Sequence, residues 1–276
     1  MIVFPNCKIN LGLHVLGKRA DRFHELETVF FPLPLYDILE IVYLKQLTGE
    51  PGIPFSKSGL EIEGDNSNNL CIKAYRLLKK KFPQLPSIQL HLHKVIPAGA
   101  GLGGGSADGS FTLKLLNELC GLDLSVNQLI KFALQLGSDC PFFIINKPCF
   151  SKGRGELLEE IPIDLSGYKL LLVNPGIHVN TSAMFREIKP ALPEIPLKEI
   201  ISKPVQKWKE EMKNDFEKVV FPQYPEIARI KKEIYLSGAV YASMSGSGSS
   251  VYGIFSKQQE IRISFPPHYF VRELNG

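Results

Sequence analysis

The 276 residues, 44% hydrophobic and 22% charged with a formal net charge of +4, carry apolar mass for one large core or two smaller ones, and two domains are favoured. No run of about 18 apolar residues occurs and Pro5, Asn6 and Lys8 break the N-terminus early, so a cytoplasmic protein without a membrane partner is expected. The charge suits anionic small substrates and is too diffuse for a nucleic-acid partner, and five cysteines with no C-x-x-C pair argue against a disulfide framework or a zinc site.

Ile9, Leu11, Leu13 and Val15 alternate with Lys8, Asn10, Gly12 and His14, a period of two that predicts a half-buried strand with Lys8 and Asn10 sharing its polar face. Ile88 to His93 alternates in the same way and predicts a second strand, in an antiparallel sheet with one covered face. His91 and His93 then point together, but no third metal ligand stands nearby in sequence, and the pair reads as solvated strand histidines. After Pro97 and the stretch PAGAGLGGGSAD, the spacing of Ala107, Phe111, Leu115 and Leu119 predicts a helix that Gly121 stops. Ser125 and Gln128 form a capping-box pair that opens another helix, with Val126, Leu129, Ile130 and Ala133 on one face, Gly137 at its close and Asp139 just beyond. Leu170 to Val173 reads as an apolar strand ended by Pro175-Gly176, after which Pro190, Pro193, Pro196 and Pro204 mark an expected surface excursion. Ala239 to Met244 and Ser250 to Phe255 predict two strands joined by Gly246-Ser247-Gly248. Strands and helices in this irregular order predict an α+β fold.

Gly99, Gly101, Gly103, Gly104 and Gly105 leave a loop almost without side chains, whose N–H groups can turn inward on an anion. Because the loop opens into a helix, the helix's unpaired N–H groups and dipole join the same site, and Ser106 adds a hydroxyl. A nucleotide phosphate, with ATP the first candidate, suits this chemistry; a tight turn without a ligand is the bland alternative. The Walker A pattern fails, since no Gly-Lys-Ser/Thr follows. The dinucleotide pattern G-x-G-x-x-G matches formally at Gly99, Gly101 and Gly104, which keeps an NAD(P)-binding oxidoreductase as a rival. Its acidic partner, Asp123, falls between two helices instead of ending a second parallel strand.

The whole segment from Pro97 to Asp108 fits a third pattern, Pro-x-Gly-x-Gly-Leu-Gly-Gly-Gly-Ser. With the Lys8 strand before it and the Ser245 to Ser249 turn after it, the chain resembles the three ordered motifs of the GHMP kinase superfamily. Within that superfamily, Lys8-Ile9-Asn10-Leu11, Gly17-Lys18-Arg19-Ala20-Asp21 and His24-Glu25-Leu26 are similar to the diphosphocytidyl-methylerythritol kinases. Gly137-Ser138-Asp139-Cys140-Pro141 resembles their segment with the catalytic aspartate, and Asn174-Pro175-Gly176 through Phe185 their substrate side. The resemblance implies a two-domain α+β GHMP kinase fold with mixed and antiparallel sheets and an active-site cleft between domains: an N-terminal domain, 1–160, with the ATP loop, and a C-terminal domain, 161–276. It also implies ATP with Mg²⁺, and phosphorylation of the 2-hydroxyl of 4-(cytidine 5′-diphospho)-2-C-methyl-D-erythritol. A sibling kinase acting on another small alcohol is the nearest rival.

By the same resemblance Asp139 takes the proton of the attacking hydroxyl, and Lys8 beside it keeps the carboxylate ionised. Read alone, the two would be a helix N-cap before Pro141 and a solvated strand lysine. Asn10 is expected on the sugar-alcohol hydroxyls, His24 and Thr181 on the substrate, and Phe23 and Phe185 on the two faces of the cytosine. On the nucleotide side the resemblance implies Asn69, Lys94, Pro97, Gly99, Gly101, Gly103, Gly104, Gly105, Ser106 and Asp108; Ser106 is the expected contact for metal or phosphate, and no further metal ligand is assigned. The usual Asp-Gly-Tyr-His of these kinases reads Asp21-Arg22-Phe23-His24, so a glycine and a phenolic hydroxyl are gone. A different loop path and the loss of a hydrogen bond of about 0.5–1.5 kcal/mol are expected, while the stacking platform stays.

Overall fold

The computed structural model describes residues 1–44, 53–61 and 64–276. The chain runs β1 (Ile2–Val3), β2 (Asn6–Lys18), β3 (His24–Tyr36), β4 (Ile38–Tyr43), β5 (Phe55–Gly59), α1 (Leu70–Lys81), β6 (Ile88–Lys94), α2 (Gly104–Leu119), α3 (Val126–Leu136) and α4 (Cys140–Ile145). It continues through β7 (Cys149–Lys152), β8 (Leu157–Glu160), β9 (Tyr168–Asn174), α5 (Thr181–Glu187), α6 (Leu197–Ile201), α7 (Val205–Glu211), α8 (Glu217–Gln223), α9 (Pro225–Leu236), β10 (Tyr241–Met244), β11 (Val251–Ser256) and β12 (Phe270–Asn275).

Two compact units are interleaved along the sequence, the first made of 1–7, 35–98 and 103–147, the second of 8–34, 99–102 and 148–276. This division differs from a single cut after residue 160, because the chain leaves β3 for β4 to build the first unit and returns at β7, which pairs back onto β3 through Thr28↔Ser151, Val29↔Phe150 and Phe30↔Cys149.

In the first unit the sheet order is β1-β4-β6-β5. The predicted alternation of β6 holds: Ile88, Leu90 and Leu92 are buried and join Leu39 and Ile41 of β4 in one core with Tyr75 and Leu78 of α1 and Leu113 and Leu116 of α2. Each such side chain contributes roughly 1.5–3 kcal/mol when fully buried. The sheet is mixed, since β6 runs antiparallel to β4 and parallel to β5. On its other face His91 and His93 share the hydroxyl of Ser58, and no group of three metal-binding side chains occurs among the described residues. The capping box of α3 forms as the spacing predicts, with Ser125 accepting from Gln128 N and Gln128 Oε1 from Ser125 N. Leu129 and Ala133 are buried, but Val126, expected on the same face, is exposed, because it lies in the first turn beyond the reach of the core.

In the second unit two sheets form, β2-β3-β7-β8 and β10-β11-β9-β12. The β10–β11 hairpin follows the predicted pair, with Met244 opposite Val251, and β11 pairs on to β9. Ile227, Ile230 and Ile234, spaced by three and four on α9, bury one stripe against a core that includes Val173, Ala242 and Phe255. Two expectations are corrected here. The β2 strand, expected half-buried, is buried on both faces, so Lys8, Asn10 and His14 are interior groups. The proline-rich stretch is a surface excursion only in its first part, where Leu192 is 80% exposed; beyond it Pro196 and Pro204 stand at the N-caps of α6 and α7, and Leu197, Ile200, Val205 and Trp208 are buried. Proline's fixed φ and missing N–H suit a helix start, which is how these residues serve here.

Candidate active site

The glycine loop has a specific conformation. Gly99, Gly101 and Gly103 take left-handed φ of +64°, +77° and +70°, with one residue of ordinary sign between each pair. Alternation of this kind lines successive N–H groups along one concave side. The carbonyls of the loop are engaged: Ala100 O accepts Ser250 N at 3.1 Å, Leu102 O accepts Lys8 N at 3.0 Å, and Gly101 O accepts Ser245 Oγ at 2.8 Å. The N–H groups of Gly104, Gly105 and Ser106 open α2 and have no intrahelical partner by construction. At Gly101 a Cβ would stand 2.1 Å from Ser245 O, so this position admits only glycine for reasons of packing; at Gly105 a Cβ meets nothing within 4 Å. Pro97 is half-buried, Gly99 and Gly105 are exposed and Ser106 is half-buried, all on the loop as expected. The strand before the loop alternates buried and open residues within a mixed sheet, unlike the apolar strand of an all-parallel dinucleotide sheet, and Asp123 stands between α2 and α3, so the oxidoreductase rival loses its second half.

Within the first unit Lys94 and Asp108 are 4% and 3% exposed and form a buried ion triad with Asp37. Lys94 Nζ bonds Asp37 Oδ2 and lies 2.8 Å from Asp108 Oδ2, while Asp37 Oδ1 accepts Val95 N and Ile96 N at 2.6 and 2.9 Å. Burial pulls the Lys94 ammonium down, but the two carboxylates more than offset it and leave its pKa raised. Burial pushes Asp108 up, to about 7, against the pull of Lys94. Both residues are thus interior supports of the loop's two ends instead of groups on its open surface. Asn69 caps α1 by accepting Cys71 N at 2.9 Å. Asp139 is half-buried at the N-cap position of α4, yet its side chain makes no capping hydrogen bond there.

Within the second unit Lys8, 3% exposed, donates to Asn10 Oδ1 at 2.6 Å and Gly101 O at 3.1 Å, and its ammonium lies 5.1 Å from the Phe30 ring centroid. Asn10 passes its own N–H to Thr28 Oγ1 at 2.8 Å, and Thr28 donates to Gly12 O at 2.6 Å. Asn10, expected on substrate hydroxyls, has its amide oxygen on Lys8 and its amide nitrogen on Thr28. The His24 ring stacks on Phe185 with centroids 5.0 Å apart, and Phe23 lies beneath the Arg154 guanidinium, so each expected stacking ring already carries one protein neighbour. His24 Nε2 is buried without a hydrogen-bond partner; burial, helped by the charge of Lys18, lowers the ring's pKa and keeps it neutral at pH 7. Thr181 opens α5 and shares a hydrogen bond of 2.7 Å with Ser247 of the glycine turn.

Sequence reasoning missed the residues that hold these groups. Asn214 donates to Met244 O and Gly246 O, both at 2.8 Å, and Glu217 Oε1 accepts Met244 N at 2.9 Å, which pins the β10–β11 turn. Asp215 accepts Val15 N on β2 at 3.0 Å; despite burial, bonds from His14, Lys218 and Val15 hold its pKa to about 2. Phe216 meets Phe185 edge-on at 4.8 Å. A run of Asn-Asp-Phe-Glu has no periodicity that would single it out, and its partners lie up to two hundred residues away in the chain.

This architecture and loop define the class. A model of the GHMP kinase N-terminal domain matches residues 69–147 and one of the GHMP kinase C-terminal domain residues 197–264. The chain belongs to the GHMP kinases, which use ATP, and among them to the family of the 4-diphosphocytidyl-2-C-methyl-D-erythritol kinases. It is 54% identical to the kinase of that name from Bacteroides fragilis over 95% of this chain and 94% of the other, and 46% identical to that of Cytophaga hutchinsonii over 94% of each. A crystal structure of 4-(cytidine 5′-diphospho)-2C-methyl-D-erythritol kinase superposes over the whole of both chains with a TM-score of 0.79 at 25% identity. The Methanococcus jannaschii mevalonate kinase shares the fold, at TM-score 0.69 and 14% identity, over 100% of this chain and 98% of that one.

Proposed function

We propose that the protein transfers the γ-phosphoryl group of ATP to the 2-hydroxyl of 4-(cytidine 5′-diphospho)-2-C-methyl-D-erythritol, a step in the non-mevalonate route to isoprenoid precursors, and that it does so in the cytoplasm. The observation that carries this reading is the 54% identity to a kinase of that name across nearly all of both chains. The glycine loop supports it, because its carbonyls face protein donors while the open end of α2 is left for phosphate.

In this reading Asp139, half-buried at the start of α4, accepts the proton of the attacking hydroxyl. Lys8, aimed by Asn10, offsets negative charge as the hydroxyl becomes a nucleophile. Neutral His24 offers the unpartnered Nε2 to the cytosine edge, with the Phe23 and Phe185 rings as stacking surfaces and Thr181 at the α5 start toward the substrate. Lys94 and Asp108 act on the nucleotide side through the loop they flank, and Asn69 acts there from the start of α1. Mg²⁺ fits the oxygen chemistry present: with no cluster of three acidic, histidine or cysteine ligands among the described residues, it would rest on Ser106, phosphate oxygens and water, as Mg²⁺ commonly does. When bound it neutralises phosphate charge.

A coupled assay with this substrate beside a panel of other alcohols tests the reading. Turnover should be confined to the cytidine-diphospho alcohol; preference for another alcohol would replace the substrate assignment. Asp139→Asn should lower kcat by roughly 10²–10⁴ with ATP affinity and melting temperature little changed, and turnover near that of the parent would remove the general base. Gly105→Ala, which meets no protein atom, should weaken ATP without loss of fold, and unchanged ATP binding would remove the loop as the phosphate cradle.

A further inference from the structure

Phe23 is 50% exposed in the turn between β2 and β3, an unusual place for a ring that serves no core. One side of it is covered: the Arg154 guanidinium lies 4.5 Å from the ring centroid. Arg154 stands in the β7–β8 turn, and the two turns are tied together. Leu26 N donates to Gly153 O at 2.7 Å, and the Glu25 carboxylate bridges them, with Oε2 accepting Arg19 Nη1 at 2.7 Å and Oε1 accepting Gly153 N at 3.1 Å. Gly153 is left-handed at φ +74°, and a Cβ there would stand 2.6 Å from Glu156 Oε2, so the turn that presents Arg154 has little freedom. Arg154 is itself only 28% exposed, with Nε 3.6 Å from Glu156.

The charges around the ring are unevenly spent. Arg19 is paired with Asp21 and Glu25, whereas Lys18 and Arg22 form no ion pair among the described residues. A guanidinium over an aromatic face attracts the ring and holds it flat, leaving the opposite face as a rigid surface. The site so built suits a planar base that carries a diphosphate, and it gives a neutral alcohol nothing comparable.

We propose that Arg154 is a positioning residue for the alcohol substrate, bracing Phe23 from behind as the platform on which the cytosine stacks. This rests on the substrate reading given above and adds a residue to it. Arg154→Met keeps an apolar stem on the ring and removes the planar cation. It should weaken cytidine diphosphate, measured by calorimetry, roughly three- to tenfold and raise KM for the cytidine-diphospho alcohol by the same factor. The kcat and the KM for ATP stay at parent values, and Arg154→Lys recovers part of the loss. In a Phe23→Ala background the Arg154→Met change should have an effect under about twofold, because the brace has nothing to hold. Parent-like binding of cytidine diphosphate by Arg154→Met, or effects of the two substitutions that multiply independently, would overturn the proposal while the substrate reading stands. Failure of the parent itself to bind cytidine diphosphate would overturn the substrate reading and this inference with it.

Discussion

Two glycine-bearing segments of the chain are held by opposite means. The triad of Asp37, Lys94 and Asp108 in the first unit flanks the glycine loop with charge: Asp37 takes the N–H groups of Val95 and Ile96 just before it, and Asp108 stands on the helix that follows. In the second unit the Ser245 to Ser249 turn is held through Asn214, Ser245 and Asn10 by an amide, a hydroxyl and backbone groups. A buried triad is stable only while its charges compensate, and it fails as a whole when one partner goes. A network of neutral groups loses one hydrogen bond at a time.

The largest effect should come from Lys94→Met, which leaves two carboxylates buried without their cation. A loss of about 3–5 kcal/mol is expected in urea unfolding, and a loss below about 1 kcal/mol would mean that the triad does not carry the loop. Next is Asn214→Ala, which unpairs Met244 O and Gly246 O; about 1–3 kcal/mol should be lost, with a fall in kcat larger than any rise in the KM for ATP. Equal stability of the two variants would erase the contrast between ionic and neutral supports.

A smaller effect separates the networks by pH. In the unfolded chain the Asp108 carboxyl ionises near 3.8, whereas in the folded protein it holds its proton to about 7, so between those values the folded state binds more protons. This group's contribution to stability is therefore complete below pH about 4 and is lost as pH rises toward 7. Asp108→Asn should flatten that part of the stability profile, and an unchanged slope would assign it to another group. The smallest effect is expected outside both networks, at Arg22, a non-glycine residue with a left-handed φ of +68°. Arg22→Gly exchanges left-handed strain for chain entropy and should gain at most about 1 kcal/mol in thermal melts.

Arg22 also shows how far local reading reaches. The sequence does not give the course of this turn, which is closed by Arg22 N on Arg19 O and Arg19 N on Phe23 O with Arg22 left-handed at its centre. Ser125, Gln128 and Gly137 set the limits of α3 by contacts within a few residues, and the alternation of Ile88 to His93 set the covered face of β6. The bends of the glycine loop were legible in composition, since only glycine accepts the left-handed angles of Gly99, Gly101 and Gly103 without cost.

Burial of polar groups was decided elsewhere. Nothing within reach of Lys94 or Asp108 in sequence announces Asp37, and nothing near Asn10 announces Thr28, Ser245 or Tyr252, whose hydroxyl donates to Asn10 O at 2.7 Å. The sequence by itself determined the elements, the glycine loop and the family, because these depend on spacing between neighbours and on motif order. Tertiary structure alone decided which polar side chains are buried and what pairs with them, turning Asn10, Lys94 and Asp108 inward and setting Arg154 against Phe23. The physical reason is that a buried polar group must be paired, and its partner is chosen by where distant strands and turns meet.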